Sequence, residues 1–221
     1  MAVVTELPAA VVADVVGQYD IGSLDTYWPA DDGVENTNYF LRTSRGLEYV
    51  LTVVESNSHH NDLMIRVLDL AHRNKLPVAP VMATKAGDRE IHRLNKPILL
   101  APRLPGQHID QTNENHCGAV GKFLAMFHLS TSELGLEAHQ YPRNLTWLNH
   151  HAALSREIQR PTYQRQLEEA LDAIRIGLER PAVEELPTGI VHGDLFRDNA
   201  LFNEEELSGV VDFHHTSHHY W

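Results

Sequence analysis

The 221-residue chain is 43% hydrophobic and 22% charged, the make-up of a globular protein long enough to bury a sizeable core. Its formal net charge of −12 excludes a general nucleic-acid binder, which relies on clustered Lys and Arg. The lone cysteine, Cys117, cannot form an internal disulfide, so a reducing, cytoplasmic setting is expected.

The first residues, MAVVTELPAAVVADVV, carry neither a basic stretch nor a long apolar run, and Asp14 interrupts their hydrophobicity. No signal peptide and no membrane contact are expected from them. Thr5-Glu6-Leu7-Pro8 opens a predicted helix to about Gly17, with Pro8 inside the first turn, where its missing N–H costs little. Strands are predicted near Ser23–Trp28, Thr37–Thr43 and Glu48–Val54, the last two joined by Ser44-Arg45-Gly46. The spacing of Leu63, Val67, Leu70 and Ala71 predicts a helix over Asn61–Arg73. Two further strands, Val78–Thr84 and Pro97–Leu104, complete an antiparallel sheet with one covering helix. Pro102-Arg103-Leu104-Pro105-Gly106 then reads as a linker, because two prolines and a glycine close the apolar strand and the later long segments are helical.

Over Asn113–Leu129, Val120, Phe123, Leu124, Met126 and Phe127 recur at helical spacing and predict a core-facing helix, with Cys117 on its apolar side. Tyr163–Leu178 reads as a second amphipathic helix. Fifteen histidines include the adjacent pairs His59-His60, His150-His151, His214-His215 and His218-His219. Neighbouring side chains diverge on a helix or strand, and no H-E-x-x-H or cysteine-histidine framework accompanies them, so exposed or capping roles are expected. The final cluster is the exception: lying just past Asp212, His214 and His218 are candidates for lining an acceptor pocket.

The chemistry concentrates in His192-Gly193-Asp194-Leu195-Phe196-Arg197-Asp198-Asn199, followed by Val210-Val211-Asp212-Phe213. The first run matches the kinase catalytic loop H-R-D-L-x-x-x-N at His192, Asp194, Leu195 and Asn199, with Gly193 in place of arginine. A carboxylate at Asp194 can take the proton of an attacking hydroxyl, and an amide oxygen at Asn199 and a carboxylate at Asp212 can ligate a hard cation. Gly189-Ile190-Val191 reads as a strand entering the loop. Ala200-Leu201-Phe202 and Leu207–Phe213 read as a hairpin around the polar turn Asn203–Glu206. Taken singly, His192-Gly193-Asp194 is an ordinary β-turn, Asn199 a turn former and Asp212 a solvated strand end; the ordered set with its strands is what points to phosphoryl transfer.

This pattern resembles the aminoglycoside phosphotransferase and choline kinase superfamily, and within it the bacterial homoserine kinases. Gly33-Val34-Glu35-Asn36-Thr37-Asn38-Tyr39-Phe40 is similar to their G-x-E-N-[ST]-N-[FY] turn and strand. Tyr49-Val50-Leu51-Thr52-Val53-Val54-Glu55 is similar to F-[VI]-L-T-L-x-E, and the likeness spans about residues 5–221. The resemblance implies an α+β, two-lobed protein-kinase-like fold: an antiparallel β N-lobe over residues 1–102, a hinge at 103–108, and a mainly helical C-lobe at 109–221 bearing the catalytic hairpin. It implies Asp194 as base, Asn199 and Asp212 as Mg2+ ligands, and ATP held by Gly33, Asn36, Asn38, Thr52, Pro102 and Leu104. The implied acceptor is L-homoserine, on the route to threonine. Choline, an aminoglycoside or methylthioribose remain open as acceptors, as does a non-catalytic nucleotide-binding module. Two departures stand out. Thr52 occupies the place of the kinase strand lysine, which leaves the phosphate-neutralising group unidentified. The chain also ends at Trp221, soon after Asp212, where the family continues through further helices, so an incomplete C-lobe is expected.

Overall fold

A computed structural model describes residues 4–30, 35–55, 61–134, 144–155 and 160–221. They fall into two units: residues up to Thr131 with Asp194–His214, and Ser132–Gly193 with His215–Trp221.

In the first unit, α1 (Ala9–Gly17) precedes β1 (Leu24–Pro29), β2 (Thr37–Thr43) and β3 (Glu48–Val53); α2 (Asn61–Arg73), β4 (Ile91–Arg93) and β5 (Lys96–Pro102) follow. The strands form one antiparallel sheet in the order β1-β2-β3-β5-β4. Alternation decides its faces. Tyr39 and Leu41 of β2, Tyr49, Leu51 and Val53 of β3, and Ile98 and Leu100 of β5 share a buried cluster with Val12, Val15 and Val16 of α1. Burying each of those aliphatic side chains contributes roughly 1.5–3 kcal/mol. Pro8 is not in the first turn, as the sequence predicted, but at the N-cap with extended backbone (φ −61°, ψ 147°); its fixed φ suits the entry into a helix equally well.

The bounds of β2 and α2 fall where periodicity puts them, and α2 buries Leu63, Met64, Val67, Leu68 and Ala71. Val78–Thr84, however, is no strand: it makes one isolated parallel bridge, Val78 to Val210, and is otherwise irregular. Pro77 and Pro80 remove ladder donors there. Side-chain bonds fasten the segment that follows. Arg89 grips Asp69 of α2 through both terminal nitrogens at 2.8 and 2.6 Å and donates to the Val81 carbonyl, and Asn61 donates to Glu90. The sheet instead gains β4, a short strand the sequence reading lacked.

Helix α3 (Glu114–Thr131) begins with a reciprocal cap. Asn113 Oδ1 accepts the His116 N–H at 3.0 Å, and His116 Nδ1 accepts the Asn113 N–H at 3.1 Å. With Nδ1 accepting, the ring proton sits on Nε2, which donates to the Glu204 carbonyl at 3.2 Å and ties the helix to the turn of β7 (Ala200–Asn203) and β8 (Glu206–Val210). Of the expected core residues only Phe123 and Phe127 are buried; Met126 is exposed, and so is Cys117, contrary to the core position expected of it. The helix uses a narrow seam, led by His116, Phe123, Phe127 and Thr131.

The second unit holds α4 (Leu145–Ser155), α5 (Pro161–Leu178), the short α6 (Pro181–Glu184), and β6 (Thr188–Val191) paired antiparallel with β9 (Ser217–Tyr220). Neither α4 nor α5 buries a residue fully, and Leu154, Ile174 and Ile176 stand exposed.

A polar cluster pins the segment before α1. Glu55 accepts from Thr37 Oγ1 at 2.6 Å and from Lys96 Nζ, and Lys96 also donates to Thr5 Oγ1 at 2.6 Å. Burial works to raise the Glu55 pKa, but the hydrogen bonds from Lys96, Thr37 and Thr5 and the Lys96 charge outweigh it and hold the carboxyl below its ordinary value. A depressed native pKa stabilises the fold above the unfolded value of about 4.3, and the gain disappears as pH falls through the native value. Urea titrations should therefore find Glu55→Gln less stable than the parent at pH 7 and the two converging in acid; a gap that stays constant with pH would contradict this role.

Candidate active site

The candidate residues Asp194, Asn199 and Asp212 lie on a loop and a hairpin of the first unit. Asp194, solvent-exposed, follows Gly193; a short 3-10 turn, Arg197–Asn199, leads into β7. Within the loop the Asp194 carbonyl accepts the Phe196 N–H at 2.9 Å, and the Asn199 N–H donates to Phe196 O at 2.9 Å. Asn199 Nδ2 then reaches back to the Asp194 carbonyl at 2.7 Å and lies 3.4 Å from its carboxylate Oδ2. Because the amide nitrogen is spent on Asp194, Oδ1 is the Asn199 atom fit to ligate a cation.

Asp212 joins them through the backbone. After β8, the Val211 N–H donates to the Asn199 carbonyl at 3.0 Å, so the residue preceding Asp212 is bonded to Asn199. Asp212 is exposed and adopts φ +61°, a left-handed conformation that Asp tolerates better than most residues but that still costs energy. Phe213 secures it: the ring is 3% exposed and packs 5.7 Å from Phe127 of α3, which stacks 5.7 Å from Phe123. The strand predicted to run to Phe213 ends at Val210, so that the metal-ligand candidate sits on a turn, not in a ladder.

Gly193 stands where protein kinases have arginine, and the local geometry demands it. Its φ is +84°, and a Cβ there would come 2.3 Å from the His215 carbonyl oxygen. Gly106 meets a similar constraint in the linker, where φ is +103° and a Cβ would come 2.1 Å from Ser208 Oγ. The linker lies flat on the hairpin: Gln107 and Phe202 exchange backbone hydrogen bonds at 3.1 and 2.9 Å, and Ser208 donates to the Pro105 carbonyl at 2.7 Å. Leu104 turns its side chain onto Gly209, while its N–H has no protein acceptor among the described residues. Pro102 pairs with Tyr49 next to the bonded pair Glu48–Arg103, so its carbonyl faces away from β3.

Opposite the α1 core, the sheet presents Phe40, Val50 and Ala101 in one row and Asn38, Thr52 and Leu99 in the next. Arg103 lies 4.2 Å above the Phe40 ring and donates to Glu48 at 2.7 Å. Thr52 donates to Asn38 Oδ1 at 2.7 Å, a neutral pair at the strand position that the sequence resemblance aligns with the kinase lysine. Asn36 turns inward and accepts the Glu55 N–H at 3.1 Å. Gly33 lies outside the described residues, as do His59 and His60. His214 is half-buried in the turn Phe213–His215, and His218 belongs to β9 of the other unit, opposite Ile190. A separate open hollow of about 630 Å³, lined by Gly106, Gln107 and Phe202–Glu204 with Glu206, contains none of the candidate residues.

Sequence reasoning missed β9 and Arg103. The cation of Arg103 was in plain view, yet only strand register reveals that it covers Phe40. At Gly193, introducing alanine should lower stability by at least ~1 kcal/mol in chemical denaturation, through positive φ and the clash with His215. An unchanged unfolding midpoint would contradict the geometry.

Residues 26–219 match the phosphotransferase enzyme family (APH). Among curated relatives, the homoserine kinase of Pseudomonas aeruginosa strain LESB58 is 34% identical over 216 residues, covering 97% of this chain and 67% of the relative. That of Bradyrhizobium diazoefficiens is 33% identical over 218 residues, covering 96% and 65%. Among solved structures, an amicoumacin kinase in complex with AMP-PNP and Ca2+ superposes with a TM-score of 0.77 at 16% identity, over 97% of this chain and 66% of that one. A spectinomycin phosphotransferase in complex with ADP and spectinomycin gives 0.73 at 12% identity, over 97% and 71%. The chain thus spans about two thirds of the length of the proteins it matches. The kinase-like fold agrees with the loop, the hairpin and the turn at Asp212 described above, and the chain belongs to the phosphotransferase enzyme family.

Proposed function

We propose that this chain serves ATP-dependent phosphorylation of the side-chain hydroxyl of L-homoserine, giving O-phospho-L-homoserine. The observation that carries the reading is the Asn199 amide bonded to the Asp194 carbonyl, with Val211 bonded to Asn199 beside Asp212. This draws a proton acceptor and two oxygen ligands toward one turn. The choice of homoserine rests on the similarity to homoserine kinases over nearly the whole chain. In this reading residues 1–102 form the nucleotide lobe, 103–108 the hinge and 109–221 the acceptor-side lobe, in a cytoplasmic protein.

The donor set fits Mg2+: an amide oxygen and a carboxylate, both hard, leaving a six-coordinate cation's other positions to nucleotide phosphates and water. Asn199 Oδ1 and Asp212 would hold it, and when bound it supplies positive charge against the β- and γ-phosphoryl oxygens. The Asp194 carboxylate receives the acceptor's hydroxyl proton as that oxygen bonds to the γ-phosphorus and the bond to the bridging β,γ-oxygen breaks, releasing ADP. Asn199 holds the Asp194 backbone so that the carboxylate meets the hydroxyl without reorganising, which is where a positioning mechanism gains its rate. Pro102 O and Leu104 N–H are backbone groups suited to an adenine edge, and Phe40, Val50 and Ala101 to its face.

Steady-state kinetics with a panel of homoserine, choline, kanamycin and methylthioribose tests both halves of the proposal. Homoserine should give the highest kcat/KM, and Asp194→Asn should reduce turnover by ~10²–10⁴-fold with MgATP affinity nearly intact. Turnover within threefold of the parent would sink Asp194 as base. A panel led by choline or kanamycin would replace homoserine but keep the kinase.

A further inference from the structure

We infer that Thr37, Glu55 and Lys96 form a positioning network for nucleotide binding, acting through the residues that flank Thr37 and touching no phosphate themselves. The inference rests on the phosphotransferase reading.

Thr37 is fully buried, and its hydroxyl is used to capacity. It accepts the Val4 and Thr5 N–H groups at 2.9 and 3.1 Å and donates to Glu55 Oε1 at 2.6 Å. The other Glu55 oxygen takes Lys96, which also holds Thr5. Asn36 meets the same residue from the other side, through the Glu55 N–H. Three consecutive residues at the entry to β2 are therefore tied by side chains to the end of β3: Asn36 and Thr37 to Glu55, Asn38 to Thr52.

A two-stranded ladder needs none of this. Thr37 and Asn38 already pair with Val53 and Thr52 through the backbone, and a buried carboxylate and hydroxyl are costly to bury unless fully bonded. The lost lysine supplies a reason for the extra ties. With Thr52 and Asn38 forming a neutral pair on the outer face, a bound triphosphate must rely on amide donors near Asn36–Asn38, whose usefulness depends on being held still. Lys96 is not a displaced substitute for that lysine. It shares the strand parity of Ile98 and Leu100, which lie in the α1 core, opposite to Thr52 and Asn38.

The test is calorimetric MgATP binding to the full 221-residue chain, at a temperature well below each variant's melting midpoint. Thr37→Val should weaken binding about tenfold, the order expected from losing one or two hydrogen bonds' worth of ordering, whereas Thr37→Ser stays within twofold. Lys96→Met, at a side chain that is only part-buried, should weaken binding in the same direction, and Lys96→Arg should keep it near the parent. Since both residues act through Glu55, Thr37→Val combined with Lys96→Met should bind no worse than the weaker single variant. Additive losses would mean that Lys96 touches the nucleotide, and would overturn the inference. So would a Thr37→Val chain that melts earlier yet binds MgATP as the parent does, or, if that chain does not fold, a Lys96→Met chain of parental affinity. A parent that binds no nucleotide would instead count against the phosphotransferase reading beneath it.

Discussion

The hydrogen bond from the Val211 N–H to the Asn199 carbonyl is the constraint on which the site depends. Asn199 closes the candidate catalytic loop and Asp212 follows the second hairpin strand. Only closure of β7 on β8, with Val210 opposite Ala200, returns the chain to where that bond can form. A register slip of one residue would turn every side chain of the strand to its other face, so the hairpin acts as the gauge that sets the spacing of the two candidate oxygen ligands, Asn199 and Asp212. The Asn199 side chain extends the same gauge to Asp194.

Holding that arrangement requires apolar support from outside the loop. Asp212 sits at φ +61°, a conformation maintained only where neighbouring structure over-determines it. Phe213, packed at a tilt against Phe127 of the Phe127–Phe123 pair of α3, and His116, bonded to Glu204 at the hairpin turn, grip the hairpin beyond Asp212 and at its far end. The linker grips a third place through Gln107, Pro105 and Leu104. The exposed, polar candidate residues thus sit on a hairpin whose freedom has been removed by contacts elsewhere, which is what preorganisation requires.

What the sequence made legible follows from how local each determinant is. The β2–β3 pair and α2 were readable because alternation and a 3.6-residue repeat are written within each segment. The candidate site was readable because loop and hairpin are consecutive in the chain. Val78–Thr84 misled because its valines look like a strand, while the features that decide otherwise, Pro77, Pro80 and the Arg89–Asp69 pair, act by removing donors or by reaching across to α2. Strand β9, Ser-His-His-Tyr, has no strand-like alternation of its own and owes its form to β6. Cys117 was misplaced for a related reason. Helix α3 carries apolar residues around much of its circumference, but those it buries lie along the seam through His116, Phe123, Phe127 and Thr131, and Cys117 is off that seam and exposed. The Glu55 network joins residues from four places in the sequence, so no window of residues could disclose it.

The central claim is that the hairpin presents Asp212 as a cation ligand for a bound nucleotide. Calorimetric titration of ATP into the parent and Asp212→Ala chains, with and without Mg2+, tests it most directly. The account predicts that Mg2+ tightens ATP binding to the parent and that this enhancement is largely lost in Asp212→Ala, because an anionic oxygen ligand has been removed. An Asp212→Ala chain that keeps the full enhancement would contradict it.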